Sequence, residues 1–206
     1  MKGKVALALI ALAIVIALGL PIRERTERAE ADLFETWRGG PAQAKVAAIE
    51  AYFARDKVGD VLPLADILRS DARWRTCPSA APFAVPPSAH WPAMAKTLRY
   101  LREHLVPAFG PVRVVSGYRE PAANLCFKGA KASRHLRFAA LDLIPVRPMP
   151  RSELIENLCA LHARTGQRHA VGLGIYSAAR FYIDTAGYRR WDGDYRAASS
   201  PCGASR

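Results

Sequence analysis

Beyond residue 110 four apolar runs of this chain are too short to be helices. "PVRVVSG" (111–117), "AALDLIPV" (139–146), "GLGIY" (172–176) and "RFYIDT" (180–185) each span a few residues and end in glycine, proline or a polar turn. That pattern predicts short strands. In the second run Leu141 and Leu143 fall on one face and Asp142 on the other, since alternate side chains of a strand point to opposite sides. "SAAR" (177–180) is short enough to join the last two as a hairpin. Helices frame the strands. In "HWPAMAKTLRYLREHLVPAFG" (90–110) Met94, Leu98, Leu101 and Leu105 form a buried stripe, with Pro107 and Gly110 expected to stop it. Another helix starts at Ser152, with Leu154, Leu158 and Leu161 in register. The predicted class is α+β, a small antiparallel sheet with packed helices.

The N-terminal part constrains location. "VALALIALAIVIALGLPI" (5–22) carries no charge and follows Lys2 and Lys4. A secretory signal core runs about 7–15 apolar residues and a spanning helix needs about 17–25. The leader reaches the longer class, and the small-x-small pair Ala29-x-Ala31 lies beyond the charged "RERTER". Residues 1–22 are therefore expected to be a signal anchor, a membrane helix holding the domain at the inner membrane on the periplasmic or outer side. The alternative is a secreted protein after signal cleavage. Residues 23–40 read as a helical stalk ended by Gly39-Gly40, 41–92 as a helical and proline-rich region, 93–192 as the core, and 193–206 as a tail.

Cys77, Cys126, Cys159 and Cys202 show no CxxC or CxxH spacing, which fits two disulfides formed outside the cytoplasm, with three pairings open. The net charge of +12 suits a polyanionic neighbour such as a cell-envelope polymer. Nucleic acid is disfavoured, because an apolar leader precedes the domain and no interleaved aromatic and basic motif follows.

Chemistry concentrates where His135 leaves a loop and Asp142 enters the next strand. Imidazole and carboxylate are both ordinary zinc ligands, and a catalytic zinc uses three protein ligands with water in the fourth place. The pair gains weight from its surroundings: "SGYREPAAN" (116–124), then "GAKASRHLRFAALD" (129–142), then "GLGIYSAARFYIDTAGYRRW" (172–191). Together these resemble the M15 family of D-alanyl-D-alanine carboxypeptidases and related murein peptidases, which share the hedgehog/DD-peptidase fold. The resemblance spans roughly residues 95 to 191. It implies that His135 and Asp142 bind zinc and that Arg119 of the Ser-Gly-Tyr-Arg motif receives a peptide carboxylate, with Ser133 adding a hydroxyl contact.

Two positions depart from the family pattern. Phe138 stands where the family string has glycine, and its bulk is expected beside the metal. The third zinc ligand of the family is a histidine in a Phe-Val-His-Ile-Asp-Thr strand. The match through Ile183-Asp184-Thr185 places Tyr182 there, and a shifted gap places Ile183. A phenol, with a pKa of about 10, must lose its proton to bind a metal well. His169 is the histidine considered as a replacement. Asp184, on the Tyr182 face, would orient a ligand or act as base on metal-bound water. The expected function is thus an exported, zinc-dependent peptidase or carboxypeptidase acting on peptidoglycan stem peptides. The alternative is a catalytically impaired module on the same fold that binds muropeptides or a partner protein.

Overall fold

The structure, a computed structural model, describes residues 22–203. The apolar leader lies outside these residues, and among those described no helix is long and apolar enough to cross a membrane. The chain divides into two compact units between Gln43 and Ala44. The first contains helix α1 (Ile22–Arg38), which ends as the Gly39 and Gly40 amides bond the Glu35 and Trp37 carbonyls.

The second unit opens within α2 (Gln43–Arg55), which buries Val46, Ile49 and Phe53, and continues through the single turn α3 (Leu64–Ile67). Helix α4 (Trp91–Tyr100) buries Met94 and Leu98. Its stripe runs on through a π-helical turn (Leu101–Leu105) into α5 (Val106–Phe109). Pro107 was expected to end this helix and does not. Proline lacks an N–H and crowds the carbonyl four residues back, and the wider preceding turn accommodates both defects. Gly110 ends the helix instead, at φ 77°.

Then come β1 (Val112–Ser116), α6 (Pro121–Cys126), β2 (Ala140–Pro145), α7 (Arg151–Leu161), β3 (Gly172–Ile175), β4 (Phe181–Asp184) and β5 (Arg189–Asp192). Among the described residues five strands form one sheet in the order β1-β2-β4-β3-β5. Four of the strands pair antiparallel as expected, but β5 lies parallel to β3. The sheet is therefore mixed. The chain leaves β4 and reaches the far side of β3 through the turn at 185–188, where the Gly187 amide bonds the Ala170 carbonyl.

Register does most of the positioning. Ser116, Asp142, Tyr182, Gly174 and Trp191 are successive cross-strand partners, one row across all five strands. Ala140, Asp184, Gly172 and Arg189 form the next row on the same face. The two glycines of "GLGIY" are needed there. A Cβ at Gly174 would meet the Trp191 ring at 2.7 Å, and one at Gly172 would meet Asp184 Oδ2 at 2.7 Å. The opposite face carries Leu141, Leu143, Leu173, Ile175, Phe181 and Ile183, all buried. Each such side chain contributes roughly 1.5–3 kcal/mol on burial. A one-residue slip would exchange these for the polar row, so the apolar face fixes where Asp142 and Tyr182 point.

Phe138 was expected beside the metal, and the structure corrects this. It adopts φ 50°, ψ 41°, the left-handed region that glycine enters without strain. Its ring is fully buried against Phe53 (6.3 Å between centroids) and Tyr118 (6.0 Å). The strain costs about 1–2 kcal/mol, and removing a buried phenylalanine side chain costs about 3–5 kcal/mol. Phe138→Gly is therefore expected to lower the urea unfolding midpoint. A midpoint at or above that of the wild type would contradict this balance.

Candidate active site

The Ser-Gly-Tyr-Arg motif is the turn that leaves β1. Ser116 donates its hydroxyl to the Ser70 carbonyl at 2.6 Å and accepts from Arg119 Nε at 2.8 Å. At Gly117 the backbone passes so close to the end of α3 that a Cβ would stand 2.1 Å from the Ile67 carbonyl oxygen. The Gly117 carbonyl in turn accepts from His135 Nδ1 at 2.7 Å. A carbonyl can only accept, so Nδ1 carries the proton and Nε2 faces Asp142 Oδ2 at 3.3 Å. Ser133 caps the short turn holding the imidazole, its hydroxyl accepting from the His135 amide at 3.3 Å.

Asp142 is 1% exposed and lies at the centre of a charge cluster. Its Oδ2 accepts from Arg119 Nη2 at 3.0 Å and from Arg180 Nη2 at 2.5 Å, while its Oδ1 is buried with no hydrogen-bond partner. Asp71, fully buried, takes Arg119 at 3.2 Å and Arg73 at 3.0 Å. Burial alone would raise the Asp142 carboxyl, but His135 in its protonated form, Arg180 and Arg119 overcome it and hold it well below the ordinary range. For Asp71, burial is likewise outweighed, by hydrogen bonds from Arg73 and the charge of Arg119. Both aspartates are charged at neutral pH.

Tyr182 stands edge-on to His135, with ring centroids 5.4 Å apart, and donates its hydroxyl to Asp184 Oδ2 at 2.5 Å. Burial, and then the Asp184 charge, push this phenol well above its usual value. Asp184 also accepts from Arg189 Nη2 at 2.5 Å and from the Ala186 amide at 2.7 Å. It sits behind Tyr182 with both oxygens engaged.

Arg119, Ser133, His135, Asp142 and Tyr182 all line one cavity of about 510 Å³, bounded by Arg73, Arg180, Arg189 and Arg190 and by Phe127, Tyr176, Trp191 and Tyr195. His169 is not part of it, and its ring lies 4.4 Å from that of His104. Asp71, Arg73 and Arg180 are the charged site residues that sequence reasoning missed. Asp71 follows the apolar turn "PLADILRS" (63–70), and Arg180 ends the hairpin turn two residues before Tyr182.

Two donors suit a zinc ion, the inward-facing His135 Nε2 and the unpartnered Asp142 Oδ1. The third does not: the Tyr182 proton is held by Asp184, and its loss is disfavoured by burial and by that neighbouring charge. Among the described residues no group of three or more His, Cys, Asp and Glu side chains is placed to hold a metal ion. A dication on Asp142 would also stand beside two guanidinium groups. Even two unit charges about 4 Å apart repel by about 4 kcal/mol at an effective dielectric constant of about 20. The donor set present does not fit a catalytic zinc of the three-ligand kind.

The model of the peptidase M15 family matches residues 62–182, more than half of the chain, and the protein belongs to that family. The match begins well before residue 95, where the motif resemblance begins, and so takes in Asp71. No curated protein and no solved structure matches the chain.

Proposed function

We propose that this M15 domain is a receptor for the carboxylate ends of peptidoglycan stem peptides, exported by its leader and held outside the cytoplasm. One observation carries the reading. The cluster at the cavity floor sets three arginines, Arg73, Arg119 and Arg180, against two aspartates, Asp71 and Asp142, which leaves one positive charge uncompensated. A carboxylate entering the cavity completes the balance, and guanidinium groups offer it paired N–H donors. Tyr176, Trp191 and Tyr195 give the peptide apolar walls. The net charge of +12 favours residence among anionic wall polymers.

The test is calorimetric titration with N-acetyl-lysyl-D-alanyl-D-alanine and with the same peptide ending in an amide. A charge-assisted hydrogen bond contributes about 1.5–3 kcal/mol, so the acid is expected to bind about 10–100-fold more tightly. Equal affinity for the two peptides would refute the proposal.

The family suggests a peptidase, and the inward-facing His135 Nε2 and unpartnered Asp142 Oδ1 favour a second reading, hydrolysis of the same peptides with a bound zinc ion. Release of D-alanine that depends on added zinc and is lost in His135→Ala would establish it. Absence of product at every zinc concentration favours the receptor.

A further inference from the structure

We infer that Arg180 is the resident cation of this site, a guanidinium on the carboxylate that would otherwise hold a metal, so that the cavity recognises its anionic ligand without one. The inference rests on the receptor reading and extends it. Three groups converge on a single oxygen, Asp142 Oδ2: His135 Nε2 at 3.3 Å, Arg119 Nη2 at 3.0 Å and Arg180 Nη2 at 2.5 Å. Arg119 is already committed, to Ser116 through Nε and to Asp71 through the same Nη2. Arg180 is the closest of the three and the one that retains capacity: its Nε is buried and has no hydrogen-bond partner.

The local sequence explains how the cation arrives. Arg180 is the turn residue immediately before β4, two positions ahead of Tyr182 and four ahead of Asp184, and Asp142 is the cross-strand partner of Tyr182. The hairpin turn aims the arginine inward. The Tyr176 amide bonds the Arg180 carbonyl at 2.9 Å, Ala178 takes φ 56°, and the guanidinium lies over the Tyr176 ring at 5.6 Å. Tyrosine at 182 and arginine at 180 thus act as a pair. The tyrosine turns its hydroxyl to Asp184 and withdraws the third donor, and the arginine supplies the positive charge two residues earlier.

One unpartnered donor borders the cavity, Arg180 Nε, together with one unpartnered acceptor, Asp142 Oδ1. A peptide terminus carries complementary groups, carboxylate oxygens for the first and an amide N–H for the second.

The experiment uses the full chain in detergent and two readouts: zinc content after equilibration and dialysis, and affinity for N-acetyl-lysyl-D-alanyl-D-alanine with and without EDTA. Wild type is expected to hold substoichiometric zinc and to bind the peptide equally in EDTA. Arg180→Met, which keeps much of the apolar stem, is expected to lose about tenfold or more in peptide affinity. Arg180→Met combined with Tyr182→His is expected to take up zinc, and to lose that uptake when His135→Ala is added. Arg180→Lys should retain most of the affinity. Stoichiometric, His135-dependent zinc in the wild type overturns the inference, and this result needs no variant to fold. Unchanged peptide affinity in a folded Arg180→Met overturns it as well. A wild type that ignores the peptide with and without EDTA sinks the receptor reading instead, and the zinc measurement still decides the role of Arg180.

Discussion

Replacing Asp142 with alanine is expected to destabilise the protein by about 3–5 kcal/mol, the cost of stripping the partner from buried charges. The carboxylate is 1% exposed and takes hydrogen bonds from Arg119 and Arg180. Without it, Asp71 alone faces both guanidinium groups, at 3.2 and 3.9 Å, while Arg73 also holds it. Asparagine is nearly isosteric but neutral, so Asp142→Asn should recover shape and little of the loss. Urea denaturation at neutral pH measures both, and a change below about 1 kcal/mol for Asp142→Ala would show that the cluster relaxes freely. The pH dependence has a definite sign. Asp142 and Asp71 titrate below the usual 3.8 in the folded protein, so the stability they contribute is complete above about pH 4. It is lost as the pH falls through their lowered values, because the unfolded chain then binds protons the folded one refuses. Asp142→Ala should accordingly show a shallower acid limb than the wild type.

Removal of the Cys77–Cys126 disulfide carries the second large effect. The two cysteines lie 49 residues apart, and closing a loop of that length restricts the unfolded chain by about 4 kcal/mol in the entropic account. For a domain of this size that corresponds to a fall in Tm of about 8–16 °C. The cross-link also holds a wall of the cavity. Cys77 ends the segment that carries Asp71 and Arg73, and Cys126 precedes Phe127, whose ring lies 5.6 Å from the Arg73 guanidinium carbon and 5.7 Å from that of Arg119. A Cys77→Ser/Cys126→Ser variant should therefore weaken peptide binding even at temperatures where it remains folded. Calorimetric scanning reads the first effect and titration the second. An unaltered Tm would mean that the unfolded chain is already compact across this loop.

His135, Asp142 and Arg119 were legible because the strings that carry them resemble those of the M15 family, and the glycine turn and strand start beside them indicated where the side chains emerge. Tyr182 was legible by the match of Ile183-Asp184-Thr185 to the family strand. Asp71 was not, since nothing around it hints that the chain after α3 runs beside the end of β1. That approach is a long-range backbone pairing, in which the Ala72 amide bonds the Val115 carbonyl and the Gly117 amide the Arg69 carbonyl. Arg180 looked like part of a turn, and its place in the cluster depends on the pairing of β2 with β4. The parallel β5 was hidden for a different reason. "RRWD" (189–192) has no apolar alternation, because Trp191 is its one buried side chain. The pairing of the cysteines needed the fold, and so did the glycine-like backbone at Phe138, where an aromatic ring anchored in the core holds a conformation its residue type disfavours.

The second disulfide joins Cys159 and Cys202, 43 positions apart, and so closes a covalent ring that contains β3, β4 and β5, and with them Arg180, Tyr182 and Trp191. A protease that nicks any exposed bend inside that ring leaves both pieces tethered, so the severed strands need not diffuse back to find their neighbours. A cut there shows as two bands on a gel after reduction and as one before it. In surroundings rich in hydrolases, that tether lets the arms of the site outlast a broken backbone.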